Sequence, residues 1–171
     1  MDGKRTYGIL SPELVRRAID KVYPLIELLM QDPDVRGDRL DPGLAVVVTA
    51  TSDINPCPTD KPDAFAEHCY YVGHVGGGAD ADKLRWGLFA LQKAMVSART
   101  GLPTAKVPPQ MLIADDVKYW GSAVLDGIVV GCSGLSSEHD EMFAYCIAAA
   151  VQAEAKIEFG RRKEDKSRAF I

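Results

Sequence analysis

Three histidines and four cysteines are the side chains of this 171-residue sequence best suited to hold a metal or attack a substrate. His68 and His74 stand six apart, so on one unbroken strand their imidazoles share a face, because side chains alternate with a period of two. They are the candidate ligands for a metal or a haem iron; a zinc site asks for further thiolate or imidazole ligands at close spacing. Cys57, Cys69, Cys132 and Cys146 are scattered with no C-x-x-C spacing, the pattern of free thiols rather than of a disulfide or zinc framework. Residues 73–78, G-H-V-G-G-G, lead towards a helix start and so invite comparison with anion-cradling loops. Their spacing fits neither the dinucleotide nor the P-loop fingerprint, and a flexible connector is the simpler reading.

Four further groups carry chemistry. Residues 131–134, G-C-S-G, are followed by Leu135 where a nucleophile elbow needs a second glycine. Cys132 is a reactive thiol if a helix N-terminus lowers its pKa, and otherwise a small buried apolar residue. Glu138, His139, Asp140 and Glu141 open a helix, where the dipole alone favours acids. Glu138 and Glu141 on one helical face would suit a cation, and Lys93 or His139 would suit acid–base work, oriented by Asp126 or Asp140.

Those residues need elements to position them. Ser11, Pro12 and Glu13 supply a hydroxyl cap, a proline at the first helical position and an acid in the first turn. Leu14, Ala18, Val22, Leu25 and Leu29 continue that helix at 3.6-residue spacing, with Pro24 expected to kink it. The valine-dense run at 44–49 reads as a buried strand, and 65–75 as a second, aromatic one. A second helix is expected over 82–100, its apolar stripe being Leu84, Leu88, Leu91, Met95 and Ala98. Residues 111–114 and 117–125 read as strand material, and Asp126-Gly127 before Ile128 marks a hairpin. Ser137 is expected to cap a last helix along Met142, Cys146, Ala149, Ala153 and Ile157 to Gly160. Hairpins join most of the strands. The fold class is therefore α+β, an antiparallel sheet of about five strands with helices packed on its faces.

Length and composition bound the function. The chain reads as one domain over 1–171, with flexible ends at 1–9 and 161–171. Apolar residues make up 47% and charged residues 26%, enough to build a core without metal or disulfide staples. A net charge of −4 and a pI near 5.4 lack the concentrated positive face that nucleic acid requires. No run of about 18 uninterrupted apolar residues spans a membrane. The opening residues, Met1 to Arg5, have no secretory apolar core, and a cytoplasmic location is expected.

Two segments together carry a family resemblance. Residues 93–104, K-A-M-V-S-A-R-T-G-L-P-T, resemble the K-A-x-x-x-A-x-x-G-x-P-T stretch of the GlcG/HbpS-like family, which includes the C-terminal domain of PduO. Residues 131–141, G-C-S-G-L-S-S-E-H-D-E, resemble that family's G-V-S-G-x-x-x-E-x-D-E. The family's G-G-V-P strand motif is replaced here by residues 115–120, D-D-V-K-Y-W. The resemblance implies a profilin-like α-β-α layering, a compact homo-oligomer, and a ligand that is haem, another tetrapyrrole or a small carboxylated molecule. It also leaves room for a small-acid enzyme. The first helix has no histidine, where one haem-binding relative supplies its iron ligand, so His68 or His74 is the candidate replacement. The expected pocket lies between the second helix and second strand, with His68, His74 and Lys93 as contacts and Tyr70, Tyr71 and Trp120 as walls. Ala94 and Ala98 would let that helix lie close to the sheet, and Gly131 and Gly134 would permit a bend.

Overall fold

The computed structural model describes residues 9–52 and 61–164. Its elements run α1 (Pro12–Met30), α2 (Pro33–Arg36), β1 (Gly43–Ala50), α3 (Pro62–His68), β2 (Tyr71–Gly76), α4 (Asp80–Thr100), β3 (Ser122–Leu125), β4 (Ile128–Ser133) and α5 (Ser137–Glu164), with 3-10 turns at Thr104–Lys106 and Pro109–Met111.

β1 is valine-rich throughout and buried at all eight positions, because it lies inside the sheet with helices on both faces. The strand order is β2-β1-β4-β3 and every pairing is antiparallel. Alternation splits the strands cleanly. Leu44, Val46, Val48, Val130 and Cys132 pack with residues of α1 and α5, while Ala45, Val47 and Val129 pack with Ala90, Leu91, Ala94 and Ala98 of α4. Asp126 and Gly127 take positive φ, 49° and 79°, as a two-residue hairpin turn between β3 and β4 requires. The expected antiparallel α+β fold is present; among the described residues the sheet has four strands rather than about five.

The missing strand has a local cause. Residues 111–121 form turns and loop, not a strand, because Pro108 and Pro109 start a 3-10 turn and the Asp116 side chain folds back to accept the Ile113 N–H at 2.9 Å. The expected strand over 65–75 is also divided. Pro62 at a helix start, then Asp63, Ala64, Ala66 and Glu67, makes α3, with Phe65 its fully buried anchor, and only Tyr71–Gly76 is strand.

α5 buries a different stripe from the expected one, while α1 and α4 keep part of theirs, with Leu14 and Ala18 of α1 and Leu91, Met95 and Ala98 of α4 buried. α4 exposes Leu84 (69%) and Leu88 (54%) and turns Trp86, Ala90, Lys93, Ala94 and Ser97 inward. Small residues win there because the helix backbone touches the sheet: a Cβ on Gly131 would lie 2.3 Å from the Ala90 carbonyl oxygen. α5 buries Phe143, Ala144, Ile147, Ala148, Val151 and Glu154, leaving Met142 and Ile157 exposed. In α1 the inward residues are Leu14, Val15, Ala18, Ile19, Ile26 and Met30. Ser11 caps α1 as expected, its hydroxyl accepting the Leu14 N–H at 3.2 Å. α5 is capped by Ser136 rather than Ser137, since the Ser136 hydroxyl accepts the His139 N–H at 3.3 Å. α5 also runs through Gly160 to Glu164, so residues 161–164 are helical; residues 1–8, 165–171 and Cys57 lie outside the described residues.

Candidate functional site

Strand alternation decides what β2 offers. Tyr71 and Val75 pack into the α1/α5 layer, so Val72 and His74 face the α4 side. Val72 remains 52% exposed, which shows that α4 leaves this part of the sheet open. The His74 ring is fixed there: its Nε2 lies 2.8 Å from the Lys83 carbonyl oxygen of α4. A carbonyl only accepts, so Nε2 carries the proton and, in the neutral ring, Nδ1 carries the lone pair. The ring lies against α4, since a Cβ at Gly87 would sit in ordinary contact, 3.8 Å from His74 Cε1 and Nε2.

The other predicted contacts are elsewhere. His68 ends α3, exposed, with Nδ1 2.8 Å from the Ala64 carbonyl oxygen. It therefore shares no strand face with His74, and the six-residue spacing loses its meaning. Tyr71 lies on the opposite face from His74, its ring over Gly73, and Tyr70 packs against the same α1-side cluster. Burial raises both phenol pKa values. Trp120 is 40% exposed in the loop before β3. Among the described residues no group of three or more His, Cys, Asp or Glu side chains could hold a metal ion.

Lys93 is the surprise. It faces the sheet from α4, and its side chain is 2% exposed. The ammonium donates to Asp140 Oδ2 at 2.9 Å and to the Cys132 carbonyl at 2.8 Å. Asp140, 4% exposed, accepts the Leu135 N–H on its other oxygen at 3.0 Å. Gly121 closes over the pair at φ +133°, where a Cβ would lie 2.6 Å from Asp140 Cβ and 2.8 Å from Lys93 Nζ. Two ions so desolvated persist only because each meets an opposite charge and a backbone dipole. Both contacts of the ammonium are to protein acceptors inside the core. Beside it, Ser97 and Ser122 hydroxyls meet at 2.7 Å, Ser122 also donates to Thr104 Oγ1 at 2.9 Å, and the Thr104 N–H returns to Ser122 Oγ at 2.8 Å.

The remaining candidates are placed just as plainly. Cys132 is fully buried, and burial pushes its thiol well above the ordinary range, the Asp140 carboxylate adding to the effect and Lys93 opposing it. His139 Nδ1 is 3.0 Å from the Ser136 hydroxyl at the start of α5. Asp126 accepts from the Gln152 amide at the far end of β4. At about 1.5 Å per helical residue, thirteen residues of α5 put it some 20 Å from His139, too far to orient it. The glycine loop binds its own acid: the Gly78 N–H donates to Asp41 Oδ2 at 2.8 Å, which disfavours an anion there.

A second buried carboxylate escaped the sequence reading. Glu154 of α5 is clasped by Arg17 and Lys21 of α1, with Arg17 Nε at 3.0 Å from Oε2. The Lys21 hydrogen bond, then that of Arg17, holds its carboxyl below the usual range. Its signal was present as an acid on the 143-147-151 face of α5.

The fold and its sites define a class: among the described residues, a four-stranded antiparallel sheet with α1 and α5 on one face and α4 and the short α3 on the other, and a buried ion pair joining α4 to the first turn of α5 where β4 ends. No protein-family model, curated protein or solved structure matches this chain. Among the described residues no helix is long and apolar enough to cross a membrane.

Proposed function

We propose that the chain is a cytoplasmic, GlcG/HbpS-like small-ligand-binding protein with profilin-like layering, and that His74 is the group its ligand meets. The observation that carries this reading is the fixed imidazole on an open apolar shelf. A backbone carbonyl holds Nε2, and Val72 beside it on the same face is half exposed. Ligating histidines characteristically give their second ring nitrogen to such a carbonyl, which sets the tautomer and the ring plane. The residues fit haem to that extent: His74 is one oriented imidazole that would offer Nδ1 to the iron. Support for the family comes from the two resembling segments, which meet in space through Lys93 and Asp140. Titration with haemin tests the proposal: the Soret band shifts on binding, and His74→Ala abolishes the shift while His68→Ala leaves it. An unshifted band rejects haem. If small carboxylates then also fail to raise the Tm of wild type above that of His74→Ala, the His74 site is rejected altogether.

One observation favours a second reading, an enzyme on a small organic acid. The Ser136 hydroxyl and His139 imidazole are in hydrogen-bond contact at 3.0 Å. Turnover abolished by His139→Gln and by Ser136→Ala would establish it; labelled acids recovered unchanged reject it.

A further inference from the structure

We propose that the free edge of β2 is a docking site for an extended segment of another protein, added there as an outer strand with apolar side chains under α4 and a basic one towards α1. β2 is one edge of the sheet. The Gly77 N–H donates to the Pro42 carbonyl, which fixes the alternation along β2. Tyr71, Gly73 and Val75 therefore bond to β1, while Val72, His74 and Gly76 turn their backbone groups outward. The N–H and C=O of Val72 and His74 meet no strand among the described residues. Sheet edges are ordinarily protected by lysine, proline or a covering segment. β2, Y-V-G-H-V-G, has neither residue. The opposite edge, β3, is four residues long, and the Thr104 turn lies against it with its N–H 2.8 Å from the Ser122 hydroxyl.

Both sides of the open edge have a wall. Leu84, Leu88, Leu91 and Met95 form one stripe of α4. Phe65 of α3 covers its second half, so Leu91 and Met95 are 7% and 8% exposed. Leu84 and Leu88, bare at 69% and 54%, continue the stripe alongside His74, whose ring meets Lys83 and Gly87 of the same helix. Side chains of an added strand opposite Val72 and His74 share their face of the sheet, and apolar ones fill this gap.

The intervening side chains of that strand point to α1, where Arg16, Asp20, Tyr23 and Glu27 form the facing stripe. Arg16 and Asp20 act in opposite directions on the Tyr71 phenol, which burial raises. The Tyr23 hydroxyl donates to Glu27, which raises its pKa, and accepts from the Gly76 N–H, which lowers it. The unbalanced charge is thus Glu27, at the Gly76 end. Antiparallel pairing is the more stable arrangement, so the N-terminal part of the added strand lies at that end, and its complement is a base. β2 of a second copy does not supply one, because Tyr71, Gly73 and Val75 are what it would turn to α1. The occupant is an alternating apolar and polar segment with an N-terminal base, held by backbone hydrogen bonds and selected by alternate side chains. This site uses the His74 backbone and not its imidazole, so it fails independently of the haemin titration.

The test uses the full chain and a fluorescein-labelled peptide of about eight residues, valine alternating with threonine and arginine replacing the first threonine. Fluorescence anisotropy gives a Kd of about 10–100 μM, ordinary for a short segment ordered on binding. Val72→Pro, which an edge strand tolerates but which removes an outward N–H, abolishes binding. Leu88→Glu weakens it by about tenfold or more, whereas Ile157→Glu on α5 leaves it unchanged. Glu27→Lys lowers affinity for the arginine peptide by about threefold and raises that of a glutamate version as much. The Val72 and His74 amides become slow to exchange with deuterium when the peptide binds. Leu88→Glu and the exchange rates decide the matter if Val72→Pro does not fold. The proposal is overturned by no binding at about 1 mM peptide, by binding that survives Leu88→Glu, or by a charge exchange that changes nothing. Val72 and His74 amides already protected in the protein alone, as pairing with a second copy would cause, overturn it too.

Discussion

The internal ion pair makes the sharpest demand on the physics. Lys93→Met removes the cation and leaves the Asp140 carboxylate 4% exposed with only the Leu135 N–H, while the Cys132 carbonyl loses its side-chain donor. Stranding one member of a buried pair costs about 3–5 kcal/mol, because the surviving charge keeps its desolvation penalty without its partner. Asp140→Asn strands the ammonium and should cost about as much, although the amide oxygen still accepts from Leu135. A domain this size is stable by about 5–15 kcal/mol, so each single variant loses a large share of the whole. The double variant has no stranded charge, and its loss should fall below the sum of the singles by about 2 kcal/mol or more. Urea unfolding, followed by far-UV circular dichroism, reads this directly. With a slope of about 2 kcal/mol/M, each single substitution lowers the midpoint by about 1.5–2.5 M. Additive losses, or singles that each cost under about 1 kcal/mol, would falsify the claim that this pair is a desolvated clasp.

Three other outcomes follow from the geometry. Glu154 has a depressed pKa, so its contribution is present above the ordinary carboxylate range, near pH 4.3, and fades as pH falls through the lowered value. Its partners Arg17 and Lys21 are 44% and 59% exposed, so Glu154→Gln should cost only about 1 kcal/mol at pH 7, and a deficit that persists undiminished at pH 3 contradicts the assignment. Gly131→Ala pushes a methyl into the Ala90 carbonyl and should lower Tm by roughly 3–12 °C, while Gly160→Ala, with nothing within 4 Å, should raise it slightly; calorimetry showing the reverse order refutes the close-approach argument. Cys132 should resist a thiol reagent in the native protein while half-buried Cys69 and Cys146 label first, as mass mapping of the modified peptides would reveal.

How far the residues announced these features depended on what kind of signal they carried. β1 and the Asp126-Gly127 turn were legible because a valine run and a positive-φ dipeptide are local rules that tertiary context seldom overrides. The existence of α1, α4 and α5 was equally legible, that of α1 from Ser11-Pro12. The buried faces were legible only in part. In α4 Leu84 and Leu88 point outward, because what faces the sheet is chosen by clearance and Ala90, Ala94 and Gly131 supply it. A periodicity counted by size is therefore right for Leu91, Met95 and Ala98 and misses at the N-terminal end of this alanine-rich helix. Phe65 misled in the other direction: an aromatic residue suits a strand, yet Pro62 and the helix formers around it decide for α3.

The candidate site shows the same division between local rule and distant partner. His74 is a candidate by residue type alone, but its neighbour on the shelf is Val72, and the carbonyl that orients it comes from Lys83, nine residues on. No spacing rule pairs an imidazole with a main-chain oxygen. Lys93 and Asp140 lie 47 positions apart, each inside a segment whose small residues look like packing alone. The pairing gives those small residues a purpose: Gly121 and the tight Ala90–Gly131 approach bring α4, β4 and the first turn of α5 close enough for one ammonium to touch both of the others. A lysine in a row of alanines thus reports an acid waiting at a helix start. Neither segment predicts that partner alone, since the distance that matters is measured through the sheet and not along the chain.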